Sequence, residues 1–201
     1  MIAGSARGRR LKAVPGTGTR PTADRVKEAI FSMIGPYFSG ETALDLFAGT
    51  GALGIEALSR GAGRAVFVDQ DKRCVDIIVD NLRTVGFAER AEVYRNDAQR
   101  ALKALAKRQR RFDLVFLDPP YRLRLIDTLL GVLEADGLLQ PGARVVAEHS
   151  TDERTADRIG ELAAVRRAVY GDTAVTIYRK EGKEHDRGQD HSGDGGLPGQ
   201  L

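Results

Sequence analysis

Short apolar runs alternate with segments of helical periodicity through most of the chain. The runs with strand character lie at 43–47, 64–69, 91–95, 112–117 and 143–149. The segments between them that predict helices lie near 52–60, 71–85, 98–108 and 123–135. In the second of these helices Cys74, Ile78 and Leu82 fall on one face, and Gly86 follows where a helix C-cap would lie. Strands and helices that alternate in this way predict an α/β fold with a parallel sheet covered on both faces.

The regions on either side of this alternation have patterns of their own. The segment after Asp152 is compatible with a helix, and strand patterns at 165–170 and 174–177 flank Gly171-Asp172, which is typical of a hairpin turn. The hairpin would add antiparallel strands, so we expect a mostly parallel sheet of seven strands. Before the sheet, Pro21 and Thr22 introduce a helix over about 23–34, with Thr22 as its N-cap.

Three regions are expected from these patterns. Residues 1–22 are rich in glycine and arginine and predict an extended basic arm that contributes little to the fold. Residues 23–179 predict one folded domain, and residues 180–201 a disordered charged tail. The tail has six glycines and only Leu197 and Leu201 as aliphatic residues, so it could not bury enough surface to offset its ordering entropy.

Composition is typical of a single-domain protein. At 201 residues and 42% hydrophobic content, the chain is long enough for one core of ordinary size. The apolar runs are too short to span a bilayer, and the first seven residues lack the apolar stretch of a signal peptide, so we expect a cytoplasmic protein with no membrane partner. Cys74 is the single cysteine, which fits a reducing compartment, and we expect its thiol to be buried.

Positive charge is concentrated at two places, although the net charge is only +3. Residues 1–27 have seven basic residues and one acidic residue, Asp24. The run from Arg100 to Arg111 has six basic residues and no acidic one. Such clusters suit a polyanionic partner, because contacts to phosphate release counterions. A solvated helix face is the alternative for the second run.

A glycine-rich loop follows the first predicted strand. Gly49-x-Gly51-x-x-Gly54 has the spacing of a dinucleotide-binding turn, and Asp69 stands at the end of the second strand, where that motif places its ribose acid. An NAD-dependent oxidoreductase is therefore one interpretation. Asp45 disfavours it, because a carboxylate at the end of the strand would repel a pyrophosphate. S-Adenosylmethionine presents an ammonium and a sulfonium group instead, and both are attracted by an acid.

The pattern Asp45-x-Phe47-x-Gly49-x-Gly51 resembles motif I of class I methyltransferases. On this interpretation Asp69 accepts hydrogen bonds from both ribose hydroxyls of S-adenosylmethionine. Asp97, after the third strand, would accept one from the adenine amino group. The residues predicted to bind this cofactor are Asp45, Phe47, Gly49, Gly51, Asp69, Asp97 and Ala98.

The most specific pattern is Asp118-Pro119-Pro120-Tyr121, directly after the fourth predicted strand. Ligands of open α/β sheets bind at the carboxyl ends of the strands, so we expect Asp118 to face Gly49 across a crevice. The Asp118 carboxylate and the Pro119 carbonyl could accept both N–H groups of an exocyclic amine and aim its lone pair at a methyl group. The ring of Tyr121, rather than its hydroxyl, is expected to stack on a base. Asp118, Pro119 and Tyr121 are the candidate catalytic residues.

Together with these motifs, several longer stretches resemble the RsmD family of bacterial methyltransferases. They are Arg7-Gly8-Arg9-Arg10-Leu11, the run from Thr19 to Glu28, the run from Leu53 to Ala62, and Tyr170-Gly171-Asp172-Thr173. The resemblance covers about residues 2–178. It implies a Rossmann-like class I methyltransferase fold and S-adenosylmethionine as cofactor. It also implies transfer of a methyl group to N2 of a guanine in the 16S ribosomal RNA of the small subunit.

The same resemblance implies how the RNA is held. The basic arm would bind RNA, and the stretch from Arg20 to Arg25 would lie close to the cofactor and the target base. The candidate RNA-binding residues are Arg7, Arg9, Arg10, Lys12, Arg20 and Arg25. We expect the protein to act as a monomer on the small ribosomal subunit and to need no metal ion.

Three other functions remain open from the residues alone. An adenine-N6 methyltransferase fits the tetrapeptide equally well, although such enzymes usually have a separate target-recognition domain. Asp45 and the proline pair disfavour the NAD-dependent oxidoreductase. The intact Asp118 disfavours a non-catalytic RNA-binding assembly factor. Glu148-His149, at the end of the fifth predicted strand, is left outside the predicted site.

Overall fold

The computed structural model describes residues 1–15 and 21–182. The helices within these residues are α1 (Pro21–Ile34), α2 (Ala52–Ser59), α3 (Lys72–Val85), α4 (Ala98–Lys107) and α5 (Ile126–Ala135). The strands are β1 (Thr42–Asp45), β2 (Arg64–Asp69), β3 (Ala91–Arg95), β4 (Phe112–Leu117), β5 (Leu139–Ser150), β6 (Arg158–Ile159), β7 (Leu162–Tyr170) and β8 (Thr173–Lys180). The predicted alternation of strands and helices is therefore confirmed.

The strands form one sheet in the order β3-β2-β1-β4-β5-β8-β7-β6. The five strands from β3 to β5 are parallel, whereas β8, β7 and β6 pair in antiparallel fashion. The prediction of a mostly parallel sheet with an antiparallel carboxyl-terminal hairpin is confirmed. The strand order reverses between β1 and β4, and a crevice opens at their carboxyl ends, where sheets of this kind bind ligands.

Residues 151–159 differ from the expected helix. Buried and exposed positions alternate in this segment: Glu153 and Thr155 are buried, and Arg154 between them is exposed. Alternation at every second residue is typical of an extended chain. The segment ends in the two-residue strand β6, which Gly160 and Glu161 turn back onto β7. Gly160 has a left-handed φ of +57°, as such a turn requires. The helix prediction is therefore wrong, and the sheet has an eighth strand.

Each face of the sheet has its own apolar core. Alternate strand residues point to opposite faces, so Phe116 packs with residues of α1, α2 and α3, whereas Val115 and Leu117 pack with residues of α4 and α5. The rings of Phe31 and Phe116 lie 5.9 Å apart in the first of these cores. Burial on both faces fixes the ends of β1 and β4, on which the crevice is built.

The helix ends follow the sequence predictions only in part. Gly86 ends α3 in the left-handed conformation, as expected, and Asp71 caps the first turn by accepting the N–H of Arg73 at 2.8 Å. Helix α1 begins at Pro21, so Thr22 lies within its first turn and the prediction of Thr22 as N-cap is wrong. Proline is suited to the first helical position, because its ring fixes φ near the helical value. Cys74 is half-buried rather than buried, because the buried face of α3 begins one turn later.

The amino-terminal segment, residues 1–15, packs against α2 and α3, which differs from the extended arm that we expected. The buried carboxylate of Glu56 accepts the N–H groups of Ile2 and Ala3 at 3.0 and 2.9 Å. Gly4 passes so close to α2 that a Cβ there would lie 1.8 Å from the carbonyl oxygen of Ser59. Hydrogen bonds from the backbone hold this segment, so it needs no apolar periodicity. Its buried side chains are Ala6 and Val14.

Some expectations concern residues at the edge of, or beyond, the described part of the chain. The tail was expected to begin at residue 180, whereas β8 extends to Lys180, so this boundary is wrong. Residues 183–201 of the predicted tail lie outside the described residues, as does Arg20. No helix in the described part is long and apolar enough to cross a bilayer. Within residues 1–15 and 21–182, no group of three or more His, Cys, Asp or Glu side chains is arranged to hold a metal ion.

Candidate functional site

The crevice between β1 and β4 opens into a cleft of about 670 Å³. Its walls come from the segments that follow β1, β2, β3 and β4 at the carboxyl edge of the sheet. Seven of the residues predicted to bind the cofactor or to act in catalysis line it together: Phe47, Asp69, Asp97, Ala98, Asp118, Pro119 and Tyr121. The other three predicted residues, Asp45, Gly49 and Gly51, belong to the end of β1 and the loop after it. The topology of the sheet thus gathers the predicted residues at one place.

In the glycine loop after β1, Gly54 allows a helix to pack closely on the sheet, and Gly49 borders open space. Gly49 and Gly51 have left-handed φ angles of 56° and 79°. A Cβ at Gly54 would lie 2.4 Å from the ring of Phe67, so the absence of a side chain lets α2 pack on β2. A Cβ at Gly49 would meet no described atom within 4 Å. The backbone at Gly49 can therefore be approached closely by a ligand.

Asp45 is buried at the end of β1 and stabilises the loop from within. Its Oδ2 accepts the N–H of Gly54 at 3.0 Å. Burial raises the pKa of Asp45 to about 7; the hydrogen bond from Gly54 opposes this shift, and the nearby carboxylate of Asp69 adds to it. A cationic ligand in the cleft would favour the ionised form of this carboxylate.

Asp69 and Asp97 each hold backbone groups in place. Oδ2 of Asp69 accepts the N–H of Gly49 at 2.9 Å, and its Oδ1 accepts the N–H of Asp71 at 2.9 Å. Oδ1 of Asp97 caps α4 by accepting the N–H groups of Gln99 and Arg100. Because a carboxylate offers about four lone-pair sites, both side chains can still accept hydrogen bonds from a ligand. Their orientations are fixed before any ligand binds.

Asp118 lies beside the end of β5. Leu117 pairs with Ala147, so the next residues, Asp118 and Glu148, are neighbours across the two strands. Withdrawal from bulk water raises the pKa of Asp118 well above its usual value, and the carboxylates of Glu148 and Asp45 raise it further. Asp118 nevertheless remains accessible from the cleft. The side chain can therefore meet a substrate and take up a proton from it.

The hydroxyl of Tyr121 is held by two residues that were not predicted to belong to the site. It donates to Oε1 of Glu148 at 2.9 Å and lies 3.0 Å from Oγ1 of Thr173. Burial raises the pKa of Tyr121 far above its usual value, so the phenol stays protonated. Two features of the sequence point to these partners. Glu148 is polar at the end of a buried strand, and Thr173 ends the last stretch that resembles the RsmD family.

The negative charge of the cleft limits which ligands it can hold. Three carboxylates, those of Asp69, Asp97 and Asp118, line it. The described lining residues include no lysine, arginine or histidine. A pyrophosphate would therefore meet like charge in this cleft, whereas a cationic ligand or an amine would meet hydrogen-bond acceptors.

The basic side chains of the amino-terminal segment are of two kinds. The guanidinium of Arg9 donates to the carbonyl oxygen of Thr84 at 2.7 Å, and Nζ of Lys12 lies 2.9 Å from Asp80. Both interactions tie the segment to α3, so these two residues have a structural role beside the predicted one. All four side chains are exposed, but within the described residues those of Arg7 and Arg10 form no hydrogen bond or ion pair. They are the side chains of this segment best placed to meet a polyanion.

Arg25 and Lys27 on α1 have opposite environments. Arg25 is exposed and borders a depression of about 520 Å³ that Tyr170 and Gly171 also line. Lys27 has its Nζ 3.8 Å from the buried carboxylate of Glu56. Of these two cations, α1 therefore presents Arg25 to a partner.

The second basic run is divided between internal pairs and an exposed stripe. Arg110 forms an ion pair with Glu92 at 2.9 Å, and the guanidinium of Arg108 lies 5.9 Å from the centre of the Tyr94 ring. The remaining exposed cations on α4 are Arg100, Lys103 and Lys107. Their spacing places them along one face of the helix, which agrees with a solvated helix face as well as with a polyanion contact.

Comparison with known proteins gives consistent matches over nearly the whole chain. The family described as conserved hypothetical protein 95 matches residues 1–179. A putative rRNA methyltransferase of Bacillus subtilis is 50% identical over 182 residues, which cover 90% of this chain and 99% of the relative. Ribosomal RNA small subunit methyltransferase D of Haemophilus influenzae is 40% identical over 154 residues, or 76% of this chain and 79% of the relative. The solved structure of a putative methyltransferase from Escherichia coli is similar with a TM-score of 0.78 at 32% identity, and the match covers 90% of this chain and 96% of that one.

Proposed function

Because this chain belongs to the family described as conserved hypothetical protein 95, together with relatives named as ribosomal RNA methyltransferases, we propose that it methylates N2 of a guanine in 16S ribosomal RNA. At the coarser level the chain is an rRNA methyltransferase that uses S-adenosylmethionine. The observation that carries the proposal is the position of Asp118, which follows β4 and lines the same cleft as Asp69 and Asp97. The guanine base, and its N2 atom as acceptor, are the finer part of the proposal.

The residues of the cleft fit S-adenosylmethionine. This cofactor supplies a methyl group on a positively charged sulfur, from which a nucleophile can take it. Asp69 would accept hydrogen bonds from the ribose, and Asp97 and Ala98 would hold the adenine. Gly49 leaves room for close approach of the ligand, and Asp45 adds negative charge at the end of β1. The acidic lining favours the ammonium and sulfonium groups and disfavours a pyrophosphate.

Asp118 and Pro119 would prepare the target amine for transfer. The exocyclic amine of a base is a weak nucleophile, because its lone pair is delocalised into the ring. With one N–H donated to the Asp118 carboxylate and one to the Pro119 carbonyl, the lone pair points at the methyl group and developing positive charge is dispersed. Neither Pro119 nor Pro120 has a backbone N–H that could compete. The raised pKa of Asp118 suits it to accept the proton that the amine loses.

The RNA would be held outside the cleft, with one base inside it. The exposed Arg7, Arg10 and Arg25 can contact phosphates, which position a substrate without reading its sequence. The target base must leave its stack to reach Asp118, and the ring of Tyr121 offers a face on which it can stack again. Leu123, 49% exposed on the same wall, adds apolar surface beside it.

Replacing Asp118 separates the methyl-transfer step from cofactor binding. With small ribosomal subunits that lack the modification, we expect Asp118→Ala to reduce transfer of labelled methyl groups about a hundred- to a thousand-fold, since one transition-state acceptor contributes about 3–4 kcal/mol. Calorimetry should show cofactor affinity within a few-fold of the wild type. Asp136→Ala, which removes an exposed carboxylate at the end of α5, is the matched control and should leave both values unchanged. Turnover above half of the wild-type value in Asp118→Ala would remove this residue from the mechanism.

A further inference from the structure

Residues from the turn after β4, from β5 and from β8 meet at the hydroxyl of Tyr121. Tyr121 begins the short 3-10 turn Tyr121–Leu123 after β4, Glu148 lies near the end of β5, and Thr173 begins β8. In the β5–β8 ladder Glu148 pairs with Val175, two positions along from Thr173. Glu148 and Thr173 are therefore diagonal neighbours on one face of the sheet, close enough to share a partner. The hydroxyl of Tyr121 is that partner, at 2.9 and 3.0 Å.

The ring of Tyr121 is part of the cleft wall, together with Pro119 and Pro120. Two hydrogen bonds at the far end of a tyrosine ring restrict rotation about its side-chain bonds. A phenylalanine at this position would keep the ring but could form neither hydrogen bond. It would also leave the half-buried Glu148 and Thr173 without the partner that they share.

We propose that Glu148 and Thr173 are positioning residues for the Tyr121 ring, so that the tyrosine hydroxyl and its two partners, as well as the ring, contribute to stacking of the target base. The inference rests on the proposed function, because it is the target base that stacks. It differs from the expectation based on the sequence, in which only the ring of Tyr121 mattered. It also gives Thr173, the last residue of the Tyr170–Thr173 stretch, a role at the site.

Glu148 has an electrostatic neighbour as well as a hydrogen-bond partner. Burial raises the pKa of Glu148, and the hydrogen bond from Tyr121 and the proximity of His149 oppose the shift. The carboxylate of Glu148 in turn raises the pKa of Asp118 after β4, as does that of Asp45 at the end of β1. Glu148→Gln keeps an oxygen that can accept from Tyr121 and removes the charge, whereas Glu148→Ala removes both. The two variants together separate positioning of the ring from charge.

The test compares kcat, KM for small subunits and cofactor affinity across a set of variants. Tyr121→Phe and Thr173→Val should each lower kcat by about two- to tenfold, the range that corresponds to one net hydrogen bond, with cofactor affinity within about twofold of the wild type. Thr173→Ser restores the hydroxyl and should restore kcat. Glu148→Gln should retain more activity than Glu148→Ala. Tyr178→Phe is the matched control, because its hydroxyl donates to the carbonyl of Ala156 at 2.8 Å outside the described cleft lining, and its kcat should stay at the wild-type value.

A double-mutant cycle distinguishes positioning from general loss of structure. If Thr173 acts through the Tyr121 hydroxyl, Tyr121→Phe combined with Thr173→Val should be no slower than Tyr121→Phe alone. Wild-type kcat in Tyr121→Phe, or fully additive effects in the double variant, would overturn the inference while leaving the proposed function intact. A wild-type protein that transfers no methyl group to small subunits would overturn the proposed function and this inference with it.

Discussion

The carboxylate of Asp69 accepts the backbone N–H of Gly49 at 2.9 Å, so the acid at the end of β2 holds the glycine loop at the end of β1. Its other oxygen accepts the N–H of Asp71, which caps the first turn of α3. A single side chain thus connects the segments after β1 and β2 on the cofactor side of the cleft. The shape of the loop and the proposed binding of the ribose depend on the same residue.

Asp69→Ala should therefore weaken binding of S-adenosylmethionine more than the removal of one hydrogen bond to the ligand would. Hydrogen bonds to a charged group contribute about 1.5–3 kcal/mol each, so we expect at least about a tenfold rise in Kd by calorimetry. Asp71→Ala is the matched control, because it removes a carboxylate of equal charge two residues away that caps a helix. It should lower stability, because α3 loses its cap, with little change in Kd. Equal reductions of affinity in the two variants would indicate an effect of charge alone.

Asn81 joins the amino-terminal segment to the glycine loop. Its Nδ2 donates to the carbonyl oxygens of Lys12 and Thr50 at 3.1 and 3.0 Å, and its Oδ1 accepts the N–H of Lys12 at 2.7 Å. Asn81 is fully buried, so Asn81→Ala should lower the free energy of unfolding by about 2–4 kcal/mol in a denaturant titration. Asp80→Ala removes only the exposed ion pair with Lys12 and should lower the free energy of unfolding much less than Asn81→Ala does. If the two variants were equally stable, the segment would not be held through Asn81.

Asp45 should make the stability of the protein depend on pH. Its pKa is raised from 3.8 to about 7 in the folded state, so the folded protein binds more protons at this site than the unfolded chain does between these values. The contribution of Asp45 to stability is therefore most favourable below about pH 4 and falls as the pH rises to about 7, by up to about 4 kcal/mol. Between urea titrations at pH 5 and pH 8, Asp45→Asn should lose less stability than the wild type does. Parallel pH profiles for the two proteins would contradict the assigned shift.

Arg7 and Arg10 of the amino-terminal segment should act on RNA and not on the fold. We expect Arg7→Ala combined with Arg10→Ala to weaken binding to small subunits and to reduce the slope of log K against log salt by about 0.7–0.9 for each phosphate that the protein no longer neutralises. The melting temperature should be unchanged. Arg9→Ala combined with Lys12→Ala should lower it, because these side chains are bound to α3. Arg154→Ala combined with Arg179→Ala removes the same charge from exposed positions elsewhere, and a similar change of slope there would argue against a specific RNA surface.

The elements that build the cleft could be predicted because their patterns are local. A strand buried on both faces is an uninterrupted apolar run, as at Phe112–Leu117, and such runs end at the residues that line the cleft. Glycine, aspartate and proline after the strands mark tight turns and hydrogen-bond acceptors. The positions of Asp69, Asp97 and Asp118 around one cleft follow from these signals and from the strand order of the fold.

The interactions that could not be predicted depend on distant pairing. Glu148 meets Tyr121 only because β5 lies between β4 and β8, and no periodicity in the chain shows that order. The amino-terminal segment has no apolar stripe, and the acid that holds it, Glu56, lies on a helix whose other residues are nearly all apolar. Residues 151–159 have charges at a spacing that suits a helix, but the buried Glu153 and Thr155 alternate as in a strand. Polar groups that are buried through tertiary packing account for each of these differences.

The identity of the methylated nucleoside distinguishes a guanine-N2 methyltransferase from every alternative considered above. The protein would be incubated with labelled S-adenosylmethionine and small ribosomal subunits that lack the modification, and the RNA digested to nucleosides and separated by mass. We expect label in N2-methylguanosine from 16S ribosomal RNA, and about a hundred- to a thousand-fold slower labelling when Asp118→Ala replaces the wild-type protein. Label in N6-methyladenosine, or no label in RNA from a wild-type protein that binds the cofactor, would contradict the proposed function.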